Sequence, residues 1–171
     1  MKFSNNRILL AGLIVVFCGV LLSCGYRIIG STVLPFSSII IKPVENRTYE
    51  PGLQDRLHSA LSREFINLGI SVNRIESPVV LEASVIAFTL GAVGSINEVI
   101  KEQELVMKVD IRLTDHERVT EFRAMASPIK ITFLAAGTVS ETVAEKERAI
   151  EKASEEIAKE TISKIIVQYA K

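Results

Sequence analysis

Between Leu105 and Leu113 every second residue is apolar: Leu105, Met107, Val109, Ile111 and Leu113 alternate with Val106, Lys108, Asp110 and Arg112. A period of two places one set of side chains on each face of a strand, so this segment predicts a half-buried β-strand with one core face. A strand of that kind cannot be stable alone. Something apolar and one-sided has to cover it, and the rest of the chain supplies two such elements.

The first lies between Glu50 and Gly69, where Leu53, Leu57, Ala60, Leu61, Phe65 and Leu68 recur at steps of three and four while Gln54, Asp55, Arg56, Arg63 and Glu64 fall off the stripe. Pro51 suits a first helical turn and Gly69 the position just past the end. The second starts at Thr138, whose spacing to Glu141 is that of a capping box. From there Val143, Ile150, Ala153, Ile157, Thr161, Ile162, Ile165 and Tyr169 form an apolar stripe over about eight turns, at 3.6 residues per turn. Its polar face mixes Glu145, Lys146, Glu147, Arg148, Glu151, Lys152, Glu155, Glu156, Lys159 and Glu160, the pattern of a solvated face with i,i+4 pairs.

Further strands are predicted over Ser38–Lys42, a β-branched run stopped by Pro43, over Ile70, Val72 and Ile75, ended by Ser77-Pro78, and over Val79–Leu90. After a turn at 114–118, Val119–Ala126 and then Ile129, Ile131 and Phe133 continue an antiparallel meander, with Pro128 at an edge or bulge. Gly91–Gln103 reads as a plain connecting loop, with an exposed hairpin tip entering a partner as the alternative. The order of strand, helix, meander and long helix predicts an α+β two-layer sandwich, two helices packed on one face of a mostly antiparallel or mixed sheet. The opposite face, with Val106, Lys108, Asp110 and Arg112, is either a wet surface or a binding face.

The N-terminus belongs to none of this. Lys2 and Arg7 precede Ile8–Leu22, fifteen residues without a charge, the n-region and h-region of a secretory signal. As a helix that run would rise only about 22 Å, short of a hydrocarbon core of about 30 Å. It ends in Leu21-Leu22-Ser23-Cys24, which resembles the bacterial lipobox. The expected organisation is a cleaved lipoprotein signal over 1–23, a lipid-anchored segment over 24–37 and a single α/β domain over 38–171. Cys24 is the expected site of lipidation by palmitate-type acyl chains, which would anchor the protein almost permanently without a span. By the sorting rule of the lipoproteins it resembles, Gly25 in place of Asp implies the outer membrane. Cleavage removes Cys18 too, leaving no thiol for disulfide, metal or nucleophilic work.

The remaining composition offers little chemistry. Twenty basic residues balance twenty acidic ones, so the charge excess of a nucleic-acid binder is missing. Neither His58 nor His116 has a nearby Cys or Asp/Glu pattern with metal-ligand spacing, so surface or structural histidines are expected. No GxSxG, GxxxxGK[ST], HExxH or CxxC occurs, and Gly91 and Gly94 form no phosphate loop. The expectation is a protein with no cofactor and no enzymatic activity. Asn46-Arg47-Thr48 has the form of a glycosylation acceptor but reads as a loop before Pro51.

Several stretches taken in order carry a family resemblance: Cys24-Gly25-Tyr26-Arg27-Ile28-Ile29-Gly30, Leu34-Pro35, Ile39–Pro43 with Val44-Glu45-Asn46-Arg47-Thr48, and Glu50-Pro51-Gly52-Leu53-Gln54-Asp55-Arg56-Leu57 followed by Ala60-Leu61. They resemble the lipopolysaccharide-assembly lipoprotein family LptE over about the first third of the mature chain. The resemblance implies a non-enzymatic outer-membrane lipoprotein, on the periplasmic side and within a barrel lumen, that plugs the large lipopolysaccharide-assembly β-barrel and helps place lipopolysaccharide in the outer leaflet. The implied partners are that barrel and lipopolysaccharide. Since lipopolysaccharide carries phosphates, Lys and Arg are its natural contacts; Lys108, Arg112, Arg123 and Lys130 are the candidates. A pilotin-like lipoprotein serving a different outer-membrane complex is the alternative.

Overall fold

The computed structural model describes residues 34–96, 99–116, 118–126, 131–134 and 138–169. The signal region, Cys24, Pro128, Ile129 and Lys130 lie outside them. The elements run β1 (Ser38–Ile41), β2 (Glu45–Asn46), α1 (Leu53–Asn67), β3 (Ser71–Val72), β4 (Val79–Ile96), β5 (Val99–Asp115), β6 (Arg118–Ala126), β7 (Ile131–Leu134) and α2 (Val139–Tyr169). The described strands form one mixed sheet. Its main order is β3-β1-β4-β5-β6, with β2 alongside β4 and β7 alongside β5. β1 is parallel to both β3 and β4, the former through the α1 crossover, and β4, β5 and β6 form the antiparallel meander. The fold is the expected α+β sandwich of two helices on a mixed sheet.

Strand parity decides what is buried. Val79, Leu81, Ala83 and Val85 of β4 and Leu105, Met107, Val109, Ile111 and Leu113 of β5 are all at or near zero exposure. Their registers match, with Leu81 opposite Leu113 and Val85 opposite Val109. A bulge between Val85 and Ala87 then shifts β4 by one residue, so that Phe88 pairs with Met107 and packs on the core. From the helices come Leu53, Leu57, Leu61 and Phe65 of α1 and Ile150, Ala153, Ile157, Ala158, Ile162 and Ile165 of α2. Ser154 and Thr161, also fully buried, donate their hydroxyls to the carbonyls of Ile150 and Ile157 at 2.9 and 2.7 Å, which removes the cost of burying them unpaired. Leu34 and Phe36 complete the core ahead of β1. Phe36 meets the Tyr169 ring edge-on at 5.7 Å, and Tyr169 donates to Asp115 at 2.7 Å, tying the end of α2 to the end of β5.

The structure departs from the sequence reading in definite places. Helix α1 starts at Leu53, with Pro51 before it and Gly52 left-handed at its N-cap. Leu68 is half exposed at the C-cap, and Gly69 (φ 78°) takes the left-handed position expected of it. Asn73 is also left-handed (φ 59°) and turns the chain out of β3, leaving Ile75 fully exposed rather than in the strand. Val143 is exposed as well, because burial along α2 begins only at Ala149. On α2 the expected intrahelical pairs are few, among them Lys164 with Glu160 at 3.1 Å. Glu147, Glu151 and Lys146 instead cross to Arg56, Arg63 and Glu50 of the α1 side. The capping box forms as expected, with Thr138 N–H donating to Glu141 at 2.8 Å. Gly91–Gln103 is no plain loop. β4 runs to Ile96 and β5 starts at Val99, so the two continue as a paired arm.

Candidate functional site

With both helices on one face, the other face of the sheet carries no helix among the described residues, and the alternation that buries the odd residues of β5 turns Lys108, Asp110 and Arg112 toward it. Cross-strand register arranges the neighbours in rows. Glu82, Arg112 and Glu121 are successive partners across β4, β5 and β6. Lys42, just past β1, pairs with Glu82. The row therefore reads Lys42, Glu82, Arg112, Glu121 in alternating sign. Opposite charges facing each other across strands are the favourable case.

Glu121 is the hub. Its Oε1 accepts from Arg112 Nη2 at 2.7 Å and Nε at 3.0 Å, and its Oε2 accepts from Arg123 Nη2 at 2.7 Å and Nε at 3.0 Å. Two guanidinium forks share one carboxylate, and they hold it below the usual carboxylate range, Arg123 more than Arg112. A second row holds Glu45, Ser84 and Asp110. Glu45 accepts from Arg47 at 2.7 Å and from Ser84 at 3.2 Å, and its acidity rises chiefly through Arg47. Asp110 accepts from the backbone N–H of Ala124 at 2.7 Å, where Ala124 has φ 49° inside the β5–β6 bulge. The carboxylate thus secures a left-handed residue that would otherwise be strained.

These side chains line a shallow groove of about 470 Å³ whose walls carry Lys42, Arg47, Arg112 and Arg123 against Glu45, Glu82, Asp110 and Glu121. Its formal charge is balanced and its cations already have partners. Lys108 is different. It stands in the next row between Ala87 and Ala126, is exposed, and makes no ion pair among the described residues. Of the four anion-contact candidates, the structure brings Arg112 and Arg123 together on Glu121, sets Lys108 on the same face beyond them, and does not describe Lys130. The partners that neutralise the two arginines were not among the sequence candidates. The parity of Glu82 was visible there, but the tertiary pairing of Lys42 with Glu82 and of both arginines with Glu121 was not.

Elsewhere the chemistry is sparse. His116, left-handed at φ 52° in its turn, contacts Asp115 through Nδ1 at 2.8 Å. His58 Nδ1 is buried without a hydrogen-bond partner among the described residues. Among those residues no group of three or more His, Cys, Asp or Glu is placed to hold a metal ion, and no helix is long and apolar enough to cross a membrane.

No family model matches the chain, and no curated protein does. Solved structures do. Rare lipoprotein B from Shewanella oneidensis shares 11% identity over 77% of this chain and 95% of that one, with a TM-score of 0.55. A minor lipoprotein from Acinetobacter baumannii shares 12% over 79% and 94%, at 0.51. A Xanthomonas campestris protein of the family DUF330 shares 17% over 77% and 84%, at 0.50. At such identities the likeness establishes the fold, and the fold is one that bacterial lipoproteins use.

Proposed function

We propose that this chain is an outer-membrane lipoprotein of the LptE family, anchored through Cys24, that plugs the lipopolysaccharide-assembly β-barrel, supports its assembly and helps pass lipopolysaccharide to the outer leaflet. The observation that carries the reading is the open sheet face. A charge-balanced lattice of paired side chains is poorly suited to lipid and well suited to the polar interior of a large barrel. The lipobox, Gly25 after the Cys, the family resemblance of residues 24–61 and a fold shared with bacterial lipoproteins support it from the sequence side.

For lipopolysaccharide itself, Lys108 is the first contact, because Arg112 and Arg123 must give up Glu121 before they can bind a phosphate. Lys130 is retained as a contact on sequence grounds. Depletion in the native organism tests the assignment: surface lipopolysaccharide and folded barrel should both decline, and loss of neither overturns it. Changing Lys108, Arg112 and Lys130 together to Ala should weaken lipopolysaccharide capture, and wild-type binding by that variant removes the contact assignment. Capture of a secretin in place of the barrel would favour the pilotin-like alternative.

A further inference from the structure

Asp110 faces two residues of β6 where a regular ladder would give it one. Phe122 pairs with Ile111 and Met125 with Val109, so Arg123 and Ala124 share the position opposite Asp110. The extra residue resets the parity of the strand. Phe122 and Met125 therefore both pack on the core, although a strand of period two cannot bury residues three apart. Arg123 is left on the groove side, where its Nε and Nη2 reach one oxygen of Glu121 while Arg112 holds the other.

The bulge is strained at Ala124. Its φ of 49° is a left-handed value that alanine adopts at a cost, because of its Cβ, and that glycine adopts freely. The Asp110 carboxylate offsets that cost, its Oδ1 accepting from the Ala124 N–H at 2.7 Å. A strained residue that a distant side chain keeps in place points to a functional requirement for the strained shape. What the shape provides here is the wall of the groove that carries Glu121 and Arg123. Asp110 also lies on the groove itself, and Arg47 and Arg123, held first by Glu45 and Glu121, feel its charge as well. Hydrogen bond and charge are separable by substitution, since asparagine keeps the acceptor oxygen and drops the charge.

We propose that Asp110 is a positioning residue for the groove: by fixing the bulge at Ala124 it sets Glu121 and Arg123 in the arrangement that the barrel lumen contacts. The inference rests on the barrel-plug reading above. Asp110 acts through Ala124 and its neighbours on β6, and the operative part is its hydrogen bond.

Barrel recovery with the full lipidated protein purified from outer membranes, together with amide hydrogen exchange on the same protein, tests the proposal. Asp110→Ala should speed exchange of the Ala124 amide at least about ten-fold and cut barrel recovery several-fold, while amides of 79–85 and 150–165 keep their wild-type rates and report an intact core. Asp110→Asn should restore both readouts to near wild type. Adding Ala124→Gly to Asp110→Ala should also restore recovery, because glycine holds this φ unaided. Wild-type recovery by a folded Asp110→Ala variant overturns the proposal. A loss in Asp110→Asn as deep as in Asp110→Ala overturns it too, by assigning the effect to charge. Should Asp110→Ala fail to fold, the double variant takes its place, and recovery several-fold below that of Asp110→Asn overturns the proposal. Barrel recovered equally by the wild-type protein and by folded Asp110→Ala removes this inference alone; no barrel recovered with the wild-type protein overturns the plug reading and this inference together.

Discussion

The two faces of β5 are one residue apart and chemically opposite. On the helix side, Leu105, Met107, Val109, Ile111 and Leu113 are at most 2% exposed and lie under α1 and α2. On the other side Asp110 and Arg112 belong to a half-exposed lattice of ion pairs, with Lys108 beyond it. Burial of a large apolar side chain contributes about 1.5–3 kcal/mol, whereas exposed ion pairs contribute little because water and salt screen them. The covered face therefore holds the domain together, and the open face can be shaped for a partner at small cost to folding.

That division can be broken by experiment. Phe65, fully buried under the sheet, should cost about 3–5 kcal/mol when changed to Ala; a loss below about 1 kcal/mol in urea unfolding would show that the stability lies elsewhere. Tyr169→Phe removes the phenol that, more than His116, lowers the Asp115 pKa. It should cost about 1.5 kcal/mol at neutral pH, as for a hydrogen bond to a charged group. A depressed native pKa means that the unfolded state binds more protons as pH falls. The Asp115 contribution is thus complete above the unfolded carboxylate value of about 3.9 and lost as pH drops through the native one. The gap between wild type and variant should shrink in acid, and a constant gap down to about pH 2 would refute the assignment.

Thr138→Ala, which breaks the capping box on α2, should cost about 1 kcal/mol, read from the thermal midpoint. The smallest effect on stability belongs to the open face. Glu121→Gln should leave the thermal midpoint near wild type while freeing Arg112 and Arg123, so that retention on immobilised lipopolysaccharide increases. A large fall in the midpoint would mean that the lattice stabilises the fold after all.

Much of the covered side could be read in advance. The α1 stripe from Leu53 to Phe65, the β5 alternation and the α2 stripe from Ile150 onward are local periodicities, and each maps directly onto burial. The misses lie at the ends of elements. Leu68 and Val143 are apolar and in period yet exposed at a helix C-cap and in the first turns of a helix, and Ile75 is exposed because left-handed Asn73 turns the chain out of β3. Gly91–Gln103 looked like a loop because its glycines and mixed residues have no period, while the pairing that makes it an arm comes from β5. On the open face, three of the four cationic candidates could be placed, and what neutralises two of them could not be foreseen.

The sequence by itself determined which residues form helices and strands and which side of each is apolar, since those patterns repeat every two or 3.6 residues along the chain. Only the tertiary structure decided that the groove on the sheet face is charge-balanced, that Lys146, Glu147 and Glu151 of α2 bind the α1 side, and that β4 and β5 continue as a paired arm beyond Leu90. Each of these depends on which distant strands or helices lie side by side and in what register, a relation between segments that no local period encodes.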